Sequence, residues 1–319
     1  MGVFDFPLDE LKKYMGINPR PDDFDDFWDN SLEEMKAVDP QPEMVPSGIE
    51  CSFARCYSLY FNGTKGSRIH AKFIVPSGTE RPVGAILKFH GYSGNSGDWT
   101  DGFQFIAAGY AYAALDCRGQ RGLSDDRGTV SRNSYHGHII RGLDDAPEDM
   151  TMRNIFLDTA KLAEVVMGMD IIDENRTGVF GVSQGGALAT VCAALVPRVK
   201  KAAIILPFLS DYKRVWKMDL AAKAYEELST YFRYYDPKHE REEEIFNKLG
   251  YIDVQHLARR IRADVMFVTG LMDTVCPPST QFAIYNRINS EKRMDIYPDF
   301  THETIFGVND DVFSFLLGV

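Results

Sequence analysis

Six short apolar runs, separated by stretches of helical pattern, constrain this chain more than any other feature. They are "VGAILKFHG" (83–91), "YAYAALDCRG" (110–119), "RTGVFGVS" (176–183), "KAAIILPF" (201–208), "ADVMFVTG" (263–270) and "RMDIYP" (293–298). Apolar runs of this length, several ending at glycine, read as strands buried on both faces. Between them Phe156, Ala160, Ala163 and Met167 recur at i, i+4, i+7 and i+11, with Ile155, Leu162 and Val166 beside them. Strands alternating with helices predict an α/β fold, a mostly parallel central sheet with helices on both faces. Upstream, "CYSLYFNGTKGSRIHAKFIVP" reads as two strands turning at Asn62-Gly63. "DDFDDFWDNSLEEMKAV" reads as one amphipathic helix in an N-terminal extension over about 1–45. Residues 121–150 and 209–262 break the alternation and read as insertions on a single domain spanning 1–319. Long insertions on such a core commonly shape a substrate entrance or an oligomer contact.

Composition narrows the function classes. The 319 residues are 45% hydrophobic and 25% charged, enough for a large core. The net charge of −11 argues against nucleic acid or an anionic membrane as partner. No window reaches the roughly 18 uninterrupted apolar residues of a membrane span. The opening "MGVFDFPLDELKKYMG" has no basic segment before an apolar run, so no secretory signal is expected. Met1-Gly2 resembles a myristoylation start, but Phe6 stands where Ser or Thr is required. Cys51, Cys56, Cys117, Cys192 and Cys276 are odd in number and form no C-x-x-C. A reduced, cytoplasmic protein is the expectation. On that expectation the sequons at Asn62 and Asn175 are irrelevant.

Gly181-Val182-Ser183-Gln184-Gly185 is a G-x-S-x-G pattern, weak by itself. Its context sharpens it: "TGVF" supplies a strand before it and "GALATV" a helix after it. Strand, tight turn and helix are what a nucleophile elbow needs, and a helix N-terminus favours negative charge near the serine. The plainer reading is a glycine-rich strand–helix turn that only packs. A serine hydroxyl needs a base, and the base an orienting acid, in the chain order Ser, Asp/Glu, His. Of the three downstream histidines, His239 lies in the charged insertion and His256 in the helical "VQHLARRI". His302, just past the last strand, is the expected base; its bland alternative is a cap on the final helix. Asp273, three residues past Gly270, is the expected acid, preferred to Asp299, which lies too near His302 in sequence. The backbone N–H groups of Gln184 and Tyr92 are the expected oxyanion donors. His90, at the end of its strand, is read as a buried histidine satisfied by backbone. "GYSGNSG" has the wrong spacing for a nucleotide loop. His136-Gly137-His138 lacks a third ligand, so no metal and no cofactor is expected.

With "HGYSG" (90–94), "DCRGQ" (116–120), "GVSQGG" (181–186), "LPFLSDYKR" (206–214), "GLMDTVCPPST" (270–280) and "THE" (301–303) in this order, the chain resembles the acetyl xylan esterase / cephalosporin C deacetylase family of carbohydrate esterases. The resemblance runs over nearly the whole chain. It implies an α/β-hydrolase fold and removal of acetyl groups from short acetylated xylo-oligosaccharides and cephalosporin C. It implies a cytoplasmic, ring-like homohexamer whose active sites face an internal cavity. It makes Ser183 the nucleophile, Asp273 the acid and His302 the base, with Tyr92 and Gln184 as the oxyanion hole. Pro207 and Val275, with Tyr92, match positions lining a small acyl pocket. Arg118, Gly119 and Gln120 match a motif that braces loops near the site. Residues 121–150 match a segment used in subunit contacts. The same machinery also serves peptidases and longer-chain esterases, and a catalytically dead hydrolase acting as a scaffold is the alternative from another class.

Overall fold

A computed structural model of the chain describes residues 4–130 and 138–319. Nine strands form one sheet: β1 (Glu43–Pro46), β2 (Ala54–Asn62), β3 (Arg68–Pro76), β4 (Val83–Phe89), β5 (Ala111–Leu115), β6 (Ile172–Val182), β7 (Lys201–Ile205), β8 (Asp264–Gly270) and β9 (Lys292–Tyr297). Their spatial order is β1-β2-β3-β5-β4-β6-β7-β8-β9. The first three strands join antiparallel, and β3 pairs antiparallel with β5. From β5 to β9 every pairing is parallel. All six apolar runs are therefore strands of the parallel part. The edge strand β1 went unread inside the N-terminal extension; its four residues are all exposed and carry no apolar alternation.

Among the described residues eleven α-helices accompany the sheet: α1 (Leu8–Leu11), α2 (Phe24–Ala37), α3 (Phe103–Ala107), α4 (Thr151–Met167), α5 (Gln184–Leu195), α6 (Tyr212–Lys217), α7 (Glu226–Tyr235), α8 (Glu242–Leu249), α9 (Val254–Leu257), α10 (Pro278–Arg287) and α11 (Val308–Leu316). The period of two along the strands divides the core. On β4, Leu87 and Phe89 face the layer of α2, α4 and α5, while Ile86 faces that of α3 and α11. On β7 Ala202 and Ile204 join the first layer, Ala203 and Ile205 the second. On β8 Val265 and Phe267 pair against Met266 and Val268 in the same way. Burial on both faces is why these strands read as unbroken apolar runs.

The β2–β3 connection is longer than the two-residue turn expected at Asn62-Gly63. It holds a 3₁₀ turn at Thr64–Gly66, with Lys65 at φ 57° and Gly66 at φ 72°. Gly63 is held there by crowding, since a Cβ would lie 2.6 Å from Asp158 Oδ1. Asn62 closes the strand register opposite Arg68. The segment 209–262 contributes α6 to α9, and its Tyr212, Tyr225, Phe232 and Phe246 are buried. The aromatic richness of that segment in the sequence is thus core material.

Candidate active site

The parallel strands deliver the candidate residues to one end of the sheet. β4 leads to Tyr92, β6 to Ser183, β8 to Asp273 and β9 to His302. The carboxyl ends of parallel strands are where α/β sheets collect ligands and reacting groups.

Ser183 sits between β6 and α5 with φ 59° and ψ −120°, a region costly for a residue with a Cβ. Its neighbours over-determine that conformation. A Cβ at Gly181 would lie 2.4 Å from the Gly185 backbone, and one at Gly185 would lie 2.0 Å from Phe89 O. Only glycine at both positions lets the turn close against β4. The Ser183 N–H donates to Ile205 O at 2.9 Å, and the Phe208 N–H donates to Ser183 O at 3.1 Å. Gln184 is the first residue of α5, so its N–H has no acceptor within the helix.

His302 Nδ1 lies 2.8 Å from Asp273 Oδ2. Asp273 is fully buried and His302 half-buried. Asp273 Oδ1 accepts from the N–H groups of Val275 and Cys276, both at 2.8 Å, and Oδ2 also accepts from Gln281 Nε2 at 3.1 Å. A carboxylate only accepts, so a hydrogen bond at this contact is donated by His302 Nδ1. The Cys276 thiol lies beside the Ser183 side chain and interacts with it. Burial raises that thiol well above its ordinary range, with the nearby Asp273 charge adding to it.

Ser183, Val275 and His302 share a cavity of about 460 Å³ with Gly91, Tyr92, Ser93, Lys223, Ala224, Glu226 and Glu227. Four of these ten lining residues, Lys223, Ala224, Glu226 and Glu227, thus come from 209–262. Pro207 is buried next to Phe208 and is not among the residues lining this cavity. Tyr92 is tied down by its hydroxyl, which donates to Glu227 and accepts from the His138 N–H at 3.1 Å. Glu227 accepts further from the N–H groups of Ile139 (2.8 Å) and Ile140 (3.3 Å). Burial pushes its carboxyl above the usual range despite these bonds. Glu227 was read only as part of the 209–262 insertion, so the sequence carried no signal for this role.

The motif at 118–120 divides between two tasks. Arg118 is fully buried and bidentate to Asp158, with Nε–Oδ2 and Nη2–Oδ1 both at 2.7 Å. It also donates to Thr64 O at 3.2 Å, joining α4 to the β2–β3 turn. Gly119 turns the chain at φ 68°. Gln120 Oε1 accepts from the Ser93 N–H at 2.9 Å and from Gln184 Nε2 at 3.1 Å, while its Nε2 donates to Gln184 Oε1 at 2.8 Å. One side chain thus braces the Tyr92 loop and the start of α5 together.

The other histidines stand apart. His90 Nε2 accepts from the Cys117 N–H at 3.1 Å, and burial holds its basicity below the ordinary value. His256 contacts Pro19 O at 3.1 Å, and burial lowers it to about 3. His239 lies 3.6 Å from Glu242. His136 and Gly137 lie outside the described residues; His138 Nε2 contacts Gly119 O at 3.0 Å. One further group was not anticipated: a carboxylate oxygen of Asp273, the Cys276 sulfur and a ring nitrogen of His302 lie within 4.8 Å of one another. The D-x-x-C spacing was its signal. Among the described residues no helix is long and apolar enough to cross a membrane.

Residues 1–319 match the model of the acetyl xylan esterase (AXE1) family. Acetyl xylan esterase 1 from Thermoanaerobacterium sp. JW/SL YS485 is 55% identical, with a TM-score of 0.97 over 99% of both chains. An acetyl xylan esterase from Paenibacillus sp. R4 is 31% identical, with a TM-score of 0.93 over 98% of this chain and 99% of its own. The acetyl esterase Axe7A of Xylanibacter ruminicola is 26% identical over 95% of this chain and 68% of its own length. The sheet and its flanking helices are those of an α/β-hydrolase, and the chain belongs to the acetyl xylan esterase family of carboxylic ester hydrolases.

Proposed function

We propose that the protein is a serine esterase that removes acetyl groups from acetylated xylo-oligosaccharides through Ser183, His302 and Asp273. The observation that carries this reading is the strained Ser183 in one cavity with a His302 whose far nitrogen is tied to a buried carboxylate. The Ser183 hydroxyl turns to the imidazole, and His302 Nε2 takes its proton as the oxygen attacks the acetyl carbonyl. Asp273 keeps the tautomer and stabilises the imidazolium. The Tyr92 and Gln184 N–H groups receive the oxyanion, and Gln120 holds them at a fixed separation. Collapse expels the sugar alcohol, protonated by His302. Water activated by the same histidine then frees acetate.

Val275 and Tyr92, with Pro207 behind the serine turn, bound the acyl side, and a small pocket here favours acetyl over longer chains. The wall from 209–262 is the sugar side. By the same resemblance cephalosporin C is a further substrate, and the protein is a cytoplasmic homohexamer with no resident cofactor. Acetate release from acetylated xylo-oligosaccharides, with p-nitrophenyl acetate and butyrate in parallel, tests this function. Acetate release with strong preference for the acetyl ester is expected. Hydrolysis of the butyrate ester without action on the sugar would reject the substrate and leave a general esterase.

A further inference from the structure

Cys276 is the one cysteine placed beside the reacting groups. Its position is fixed by the turn that presents Asp273, because its own N–H donates to Asp273 Oδ1 at 2.8 Å. The two prolines after it start α10 and hold the turn. Its thiol reaches the Ser183 side chain, and its sulfur, an Asp273 oxygen and a His302 nitrogen share one space within 4.8 Å. Thiolate, imidazole and carboxylate are the donors that zinc and its heavier congeners take. A histidine whose other nitrogen is held by a carboxylate is also how metal-binding histidines are oriented. Ser183 and His302 line the cavity, which brings solvent up to this group.

We propose that Cys276 and His302, with Asp273 behind them, form an inhibitory site for a thiophilic divalent cation such as Zn²⁺ or Cd²⁺. Binding exchanges the Cys276 S–H proton, released to solvent, for a sulfur–metal bond. The imidazole lone pair forms the second bond, and nothing is oxidised or reduced. That lone pair is the one Ser183 needs, so the cation and the acyl transfer exclude one another. The inhibition rests on the proposed role of His302 as base; the binding does not.

The test is a Cd²⁺ titration of the whole protein in buffer free of thiols and phosphate, following p-nitrophenyl acetate hydrolysis and sulfur-to-cadmium charge-transfer absorption together. Loss of activity and growth of the absorption are expected at one midpoint, both reversed by EDTA. Cys276→Ala, measured against its own uninhibited rate, is expected to move the inhibition midpoint upward by about tenfold or more and to lose the absorption. Cys51→Ser removes the half-exposed thiol elsewhere and is expected to leave both signals in place. Ser183→Ala is expected to keep the absorption with no turnover, so binding is read even if the esterase reading fails. Equal Cd²⁺ sensitivity of Cys276→Ala and the parent, or an absorption lost in Cys51→Ser and kept in Cys276→Ala, would overturn the proposal.

Discussion

Asp273 accepts at both carboxylate oxygens: two backbone N–H groups on Oδ1, and Gln281 and His302 on Oδ2. An amide has one accepting atom. Asp273→Asn therefore either loses the turn or presents an N–H to His302 and reverses its tautomer. The expected result is a fall in kcat of about 10⁴-fold with the fold retained, read by steady-state kinetics beside circular dichroism. Gln120 acts one step further out. Gln120→Leu frees the Tyr92 loop and the start of α5 from one another, and kcat is expected to fall about 10- to 100-fold with a smaller change in KM. An equal loss in thermal stability with kcat unchanged would make Gln120 a structural brace only. At this scale Ser183, Asp273 and His302 were legible because each follows an apolar strand and the serine stands between obligatory glycines. Gln120 was legible only as part of a motif. The Cys276 contact and Glu227 were not legible, because they depend on distances between segments that no local pattern encodes.

β5 ends at a buried ion pair that joins three elements. Arg118 reaches Asp158 on α4 and Thr64 in the β2–β3 turn, with the two charged side chains 0% and 1% exposed. Removing one partner leaves the other charge buried and unpaired. Arg118→Met is expected to cost about 3–5 kcal/mol, and Arg118→Met with Asp158→Leu less than that. Urea unfolding of both variants checks the order, and a double variant worse than the single would contradict it. The strands and long helices were readable because burial on both faces, or a 3.6-residue period, writes itself into the sequence. α2 begins and ends within a few residues of expectation, and α4 ends at Met167, the last residue of its apolar pattern. β1 was hidden because an exposed edge strand needs no apolar alternation. The β2–β3 turn was misjudged in length because its shape is set by Arg118 and Asp158 from outside the hairpin.

The antiparallel and parallel halves of the sheet are fastened to each other through Asp116 beyond β5. It accepts from the Ser96 N–H (2.6 Å) and Leu123 N–H (2.9 Å) and pairs with His70 Nδ1 (2.7 Å) on β3. Burial alone would raise its carboxyl, but these bonds together outweigh burial and hold it down at about 2. An unfolded aspartate titrates near 3.9. The bonds therefore stabilise the fold fully above about pH 4, and their contribution, about 2 kcal/mol, is lost as the pH falls from about 4 to about 2. Asp116→Asn is expected to be less stable at pH 5 but to lose less on acidification, so the two urea midpoints converge toward pH 2. Parallel curves would show that Asp116 does not titrate in this window. In the proposed function all of this scaffolding serves one reaction, at Ser183. The most direct test is to mix the whole protein with p-nitrophenyl acetate, quench in acid within the first turnovers and map the peptides by mass. The account predicts one acetyl group per chain, on Ser183, absent in Ser183→Ala and short-lived unless His302 is replaced. An acetylated residue other than Ser183, or full turnover in Ser183→Ala, would contradict it.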